Sequence, residues 1–155
     1  MSRLRSCPNA DFVCKRCQAY VSAVVILAGV HNRNHCPYCL WSRHLDLFKA
    51  GDRLAACKGV MRPIGLTCKQ TFKRYNPGNS PGELMLVHYC TECEMISINR
   101  IAADDDAEAV LALCEPLLDA ALAASLLHQG IRLLGWQDRQ AVQVQLFGLR
   151  ELMPC

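Results

Sequence analysis

The chain is poor in aromatic residues, which make up 6% of its 155 positions and include only two tryptophans. It also lacks a long hydrophobic run. The longest, Tyr20 to Val30, is too short to cross a bilayer. The next candidate, Ala107 to Leu127, is broken by Glu108, Glu115, Pro116 and Asp119. The opening residues carry Arg3 and Arg5 with no apolar stretch behind them, so no secretory signal is expected. Together these shortages argue against a membrane protein and for a cytoplasmic one. Wholesale disorder is excluded as well, because 52% hydrophobic residues are enough for a core.

Neither sign of charge dominates the whole, at a net +3, yet the two ends differ. Residues 1–100 hold 14 Lys/Arg against 6 Asp/Glu, and residues 101–155 hold 3 against 8. A basic body with an acidic tail fits a module facing a polyanion, followed by a different kind of segment.

What the chain has in quantity is cysteine: Cys7, Cys14, Cys17, Cys36, Cys39, Cys57, Cys68, Cys90, Cys93, Cys114 and Cys155. In a reducing compartment disulfides do not persist, so clustered cysteines point to metal. Cys14-x2-Cys17 and Cys36-x2-Cys39 are separated by 18 residues, the spacing at which two tight turns present four thiolates to one zinc ion. A third pair, Cys90-x2-Cys93, needs two more ligands. Cys57 and His44 are the preferred completion, with His88 and Cys68 as competitors, and two zinc ions are expected. An interleaved grouping of Cys14 and Cys17 with Cys90 and Cys93 is the alternative. Cys7, Cys114 and Cys155 are read as bystanders, Cys114 being a small core residue on an apolar helix.

The predicted fold is α+β: a small zinc-ribbon-like body of antiparallel strands over 11–106, then a helical extension over 107–155. Val21 to Leu27 and Leu84 to Tyr89 read as strands, and Pro77 to Gly82 as a turn. Ala107 to Gln129 is rich in Ala and Leu and predicts helix, with Asp104, Asp105 and Asp106 placed for a cap and for the helix dipole. Pro116 either kinks that helix or opens a second one, and Gly130 ends it. Gln137 to Leu152 predicts a further helix with Val142, Leu146, Leu149 and Met153 on one face.

The run Arg33-Asn34-His35-Cys36-Pro37-Tyr38-Cys39-Leu40-Trp41-Ser42-Arg43-His44-Leu45-Asp46 resembles the signature of the RNHCP domain family. Phe12-x-Cys14-x2-Cys17, Gly51-Asp52-Arg53, Cys57-x-Gly59-x-Met61-x-Pro63, His88-x-Cys90-x2-Cys93 and Asn99 to Asp105 extend the match. It covers about 95 residues from Phe12 and omits the helical tail. Glu94 departs from the family pattern, where glycine is expected after the last pair. The resemblance implies a zinc-ribbon-like cysteine layout and supplies no reaction.

Three functions are compatible with these residues. The first is a non-enzymatic module binding nucleic acid, RNA above DNA, or a ribonucleoprotein, through Arg33, His35, Trp41, Arg43, Arg53 and Arg100. Basic residues interleave with aromatics at Arg33, Tyr38, Trp41, Arg43 and Arg53, and again at Lys69, Phe72, Lys73, Arg74 and Tyr75, so that a base can stack while its neighbour holds phosphate. The second is an HNH-like nuclease with His35 as general base and Asp46 or Asn34 on a divalent ion. The third is a protein-interaction module whose helical tail presents an apolar face to a partner. A structural role for the polar residues is equally expected: Asp46 or Asp52 orienting a ligand histidine, Asp105 capping the helix, Arg100 paired with an aspartate.

Overall fold

The computed structural model describes residues 10–69 and 82–148. Cys7, the turn residues Pro77 to Pro81, the stretch Phe72 to Tyr75, Leu149, Met153 and Cys155 lie outside them.

Two short strands, β1 (Phe12–Val13) and β2 (Tyr20–Val21), form a hairpin around the first cysteine pair. The main sheet is antiparallel, in the order β3 (Ser42–Arg43), β4 (Val60–Lys69), β5 (Glu83–Cys90), β6 (Ile96–Arg100). Strand β5 carries the run Leu84-Met85-Leu86-Val87, and all four are buried. Such a run suits a strand covered on both faces. On one face Leu84 and Leu86 join Leu40, Leu66, Val110, Leu111, Cys114, Leu134 and Val142. On the other, Val87 packs with Ile64, Leu122 and Leu126. The helical extension therefore completes the core of the sheet. The α+β architecture is as the sequence predicts.

The expected strand Val21–Leu27 is corrected. Pairing stops at Val21, and the Asp11 carboxylate accepts the Ala23 N–H at 2.7 Å. The chain then turns into a short helix, α1 (Val25–Ala28), closed by Gly29 at φ +68°. A short apolar run does not by itself distinguish strand from helix.

The tail is also more finely divided than its composition suggests. Helix α2 (Ala107–Ala112) ends well before Pro116, and α3 (Ala120–His128) begins after it. Pro116 thus neither kinks a helix nor opens one; it lies in the connection, and Asp119 caps α3 by accepting the Leu122 N–H at 2.8 Å. Asp106, not Asp105, caps α2, accepting the Ala109 N–H at 2.9 Å. A 3-10 turn (Trp136–Asp138) leads into α4 (Arg139–Phe147), which carries Val142 and Leu146 inward. No helix among the described residues is long and apolar enough to cross a membrane.

Candidate metal centres and the polar cluster beside them

Three turns of the chain share one construction. In each Cys-x2-Cys pair the amide four residues after the first cysteine bonds back to that cysteine's carbonyl and closes a tight loop: Gln18 N donates to Cys14 O at 2.9 Å, Leu40 N to Cys36 O at 2.9 Å, Glu94 N to Cys90 O at 3.0 Å. A second bond returns from the first cysteine: Cys14 N to Ala19 O, Cys36 N to Trp41 O, Cys90 N to Met95 O. The residue after each second cysteine lies in the left-handed region, Gln18 at φ +64°, Leu40 at +63° and Glu94 at +65°. Glycine reaches that region without a Cβ penalty. The departure at Glu94 is thus accommodated, with the glutamate holding the glycine-type conformation.

The turns converge in two groups. Cys14, Cys17, Cys36 and Cys39 bring four sulfurs within 4.8 Å of one another, with Cys14 to Cys39 and Cys17 to Cys36 both 3.6 Å apart. His44, Cys57, Cys90 and Cys93 form the second group, with Cys57 3.7 Å from Cys90 and the Cys93 sulfur 3.3 Å from His44 Nδ1. Zn–S bonds of about 2.3 Å in a tetrahedron separate sulfurs by roughly 3.8 Å, so both groups have the dimensions of a structural zinc site. Each offers four N/S donors and fits one zinc ion.

The register of the sheet assembles the second group. Ser42 pairs with Met61 and Met61 with Cys90, which brings the His44 and Cys57 segments alongside the last knuckle. Gly59 is the tight point, because a Cβ there would stand 3.0 Å from Cys90 Sγ and 2.9 Å from Glu92 Cβ. The two competing ligands have other places. Cys68 packs against the main core from β4. His88 is fully buried, its Nε2 donating to Leu40 O at 2.7 Å and its Nδ1 accepting from Asn99 Nδ2 at 2.8 Å. Burial, together with the nearby His35, holds the His88 imidazole down at about 3, so it is neutral. The interleaved grouping is overturned: each pair's partners are those given above.

The thiols differ in environment. Burial pushes Cys39 far above the usual thiol range. Desolvation acts on Cys90 in the same sense, but backbone N–H bonds from Cys93 and Glu92, together with the Cys93 and Cys57 side chains, outweigh it and leave the thiol lowered. Zinc binding at the first group accordingly displaces protons from Cys36 and Cys39, whose thiols burial holds protonated.

The signature run beside the first group divides its work residue by residue. Arg33, with its side chain fully buried, grips Asp104 through two N–H···O bonds of 2.9 and 2.7 Å. Asn34 donates to Asp46 at 2.9 Å and accepts from the Arg53 guanidinium. His35 Nε2 meets both oxygens of Asp105, at 2.8 and 2.7 Å. Cys36 is a ligand, and Pro37 O accepts the Asp106 N–H at 2.8 Å. The acidic trio is thus shared among Arg33, His35 and the helix cap. Asp52 orients no histidine; it accepts backbone N–H groups of Leu47, Phe48, Lys49 and Leu54 and fixes the 45–54 loop. Arg100 pairs with Glu83 at 2.8 Å, not with an aspartate.

The residues expected to meet nucleic acid are therefore separated by the fold. Arg33 and His35 are 1% and 2% exposed and face their aspartates, a position from which neither reaches an outside phosphate. Trp41 and Arg43 lie partly exposed beside the first knuckles, where Arg16 stacks over Trp41 at 4.8 Å and Arg43 over Phe12 at 3.6 Å. Arg53 borders Asp46 and Arg100 is on β6. Tyr38, an aromatic of the expected stretch, is exposed between the ligands Cys36 and Cys39; exposed Lys15 and Arg16, within the first knuckle, escaped the sequence reading, and their position between ligand cysteines was the available signal.

A ribbon built on two four-ligand groups, backed by an antiparallel sheet, defines a zinc-binding domain in which metal holds the loops. The RNHCP domain model matches residues 9–111, and the chain belongs to that family. Neither the curated proteins nor the solved structures contain a match to it.

Proposed function

We propose that the chain is a zinc-stabilised module that binds single-stranded RNA across the knuckles of its first metal centre. Arg43 carries the reading. Its guanidinium is half withdrawn from water, and among the described residues it pairs with no carboxylate. Its Nε is buried without a hydrogen-bond partner. Desolvation, with Arg53 nearby, lowers its proton affinity, so the site favours an added anion. Its guanidinium lies over Phe12 of the first hairpin, and the two knuckles of this centre carry exposed Lys15 and Arg16, the latter over Trp41, and Tyr38 at 63% exposure. Phosphates would meet the cations while bases stack on the rings. Zinc supplies the rigidity of this platform.

The test is retention of a single-stranded ribo-oligonucleotide at low salt, followed by titration with salt. Arg43→Ala and Arg16→Ala should each weaken binding and each lower the salt slope by about one phosphate contact. Tyr38→Ala should weaken binding without changing that slope. RNA that passes through unretained, or retention indifferent to Arg43, would reject the reading.

The nuclease reading is not favoured. Among the described residues the groups that bring metal-ligating atoms together are the two zinc sites, and neither includes His35 or Asp46.

A further inference from the structure

Strand β6 (Ile96–Arg100) ends the main sheet and pairs with β5 alone. In an antiparallel pair every second residue turns its N–H and C=O away from the neighbouring strand. Among the described residues no further strand, and no backbone group outside the sheet, bonds to β6 from that outer side. Its five residues, at about 3.4 Å each, offer an edge roughly 17 Å long. An open edge of this kind is a template for one more strand.

Two cavities follow the edge. One of about 220 Å³ is lined by Ile96, Ser97, Ile98 and Asn99, and one of about 540 Å³ by Ile98, Asn99 and Arg100. Successive side chains of a strand stand on opposite faces of the sheet. Ile98 lies beside Val87, on the face that α3 covers, and Asn99 beside Leu86, on the face of the α2 and α4 core. A space touching three or four residues in a row therefore lies against the edge itself. Its other walls are residues 44–50 and, in the larger cavity, His31 and Asn32. The two carboxylates of the lining are both engaged, Glu83 with Arg100 at 2.8 Å and Asp46 with Arg53 at 3.5 Å. Arg43, Lys49 and Lys69 line the same space with no carboxylate partner among the described residues. The uncompensated charge is positive.

We propose that an extended acidic peptide of another protein adds to β6 as the fifth strand of this sheet. Main-chain hydrogen bonds hold it along the edge, with its apolar side chains beside Ile98 and its carboxylates beside Lys49 and Lys69. A second copy of this chain fits less well, since its own β6 stands behind the same 44–50 wall. The chain's segments outside the described residues lack the charge: residues 1–9 carry Arg3 and Arg5, residues 70–81 carry Lys73 and Arg74, and residues 149–155 balance Arg150 with Glu151. The inference goes beyond the RNA reading and does not depend on it.

The experiment uses the full zinc-loaded chain, isotope-labelled in its amides, and a blocked octapeptide of alternating glutamate and valine. The outward amides of β6 should exchange with solvent about tenfold more slowly once the peptide is bound. A lysine–valine counterpart should bind about tenfold more weakly at low salt, because it sets like charges together. Lys49→Glu, at an exposed loop position, should weaken the glutamate peptide and strengthen the lysine one while zinc content stays unchanged. The glutamate peptide N-methylated at every amide should not bind. Equal binding with and without the methyl groups would overturn the proposal, as would β6 amides that do not respond to the glutamate peptide. A single-stranded ribo-oligonucleotide that protects the same amides would assign the edge to nucleic acid and overturn it too. Loss of RNA retention in Arg43→Ala, or its persistence, leaves this result untouched.

Discussion

Arg33 and Asp104 lie 71 residues apart in the chain and meet through two parallel hydrogen bonds of 2.9 and 2.7 Å. The pair joins the loop before the second knuckle to the entrance of α2, and Arg33 Nε also donates to His35 O at 3.2 Å. Its strength depends on the planar fork of the guanidinium.

Removing one partner should be costly. Arg33→Ala leaves Asp105, 1% exposed, with one fewer cation beside it, and is expected to destabilise the zinc-loaded protein by about 3 kcal/mol in urea unfolding. Asp104, at 37% side-chain exposure, has partial access to water, so Asp104→Asn should cost less. Arg33→Lys should fall near the alanine variant, because an ammonium cannot satisfy both oxygens in the same plane. A lysine variant as stable as the parent would contradict the bidentate role.

Metal content should separate the two centres. Cys17→Ser and Cys93→Ser are each expected to bring zinc from two ions per chain to one, measured by elemental analysis of protein purified without chelator. Cys68→Ser and Cys114→Ser should retain both ions, as neither sulfur joins a group. Full removal by a chelator should abolish the β1–β2 hairpin signals first, since little besides the metal and Phe12, Ala19 and Val21 holds that lobe.

Acid should weaken the fold through His88. Its folded-state value of about 3 is depressed below the ordinary 6.5, so the unfolded chain binds the proton first. The corresponding stability is fully present above pH 6.5 and is lost as pH falls toward 3. Between pH 7 and pH 5 the loss should reach about 2 kcal/mol. Protonation of the zinc thiolates acts in the same direction, and His88→Gln isolates the histidine: the variant should be less stable at neutral pH yet show a shallower decline. Parallel pH profiles for the two proteins would contradict the assignment.

Glu94→Gly should stabilise the third knuckle by about 1 kcal/mol, since φ +65° penalises a side chain and not glycine. Gly59→Ala should have the reverse effect, because its Cβ would stand 3.0 Å from Cys90 Sγ. The readout for both is zinc affinity at the second centre, by competition with a chromophoric chelator.

The metal ligands were legible because a Cys-x2-Cys turn is a local object whose spacing encodes its geometry. Choosing His44 over His88 took more, and the family motif and spacing only ranked them. What decides it is sheet register, Ser42 against Met61 against Cys90, a long-range property. The same limit explains Arg33 and His35. Polar side chains next to a knuckle read as a binding surface until Asp104 and Asp105 arrive from beyond β6 to pair with them. Helix boundaries near Pro116 were missed because apolar composition continues through a connection that caps and packing interrupt.

Leu40 links the two halves of the molecule. It follows the ligand Cys39 directly, its carbonyl receives His88, and its side chain, 1% exposed, is part of the interior that α2 and α4 close. When the first ion leaves, this plug is free to withdraw, and the far helices lose a wall they do not themselves supply. Stripping that centre would then register at a distance, as faster proteolysis of the tail in the chelated protein than in the zinc-loaded one.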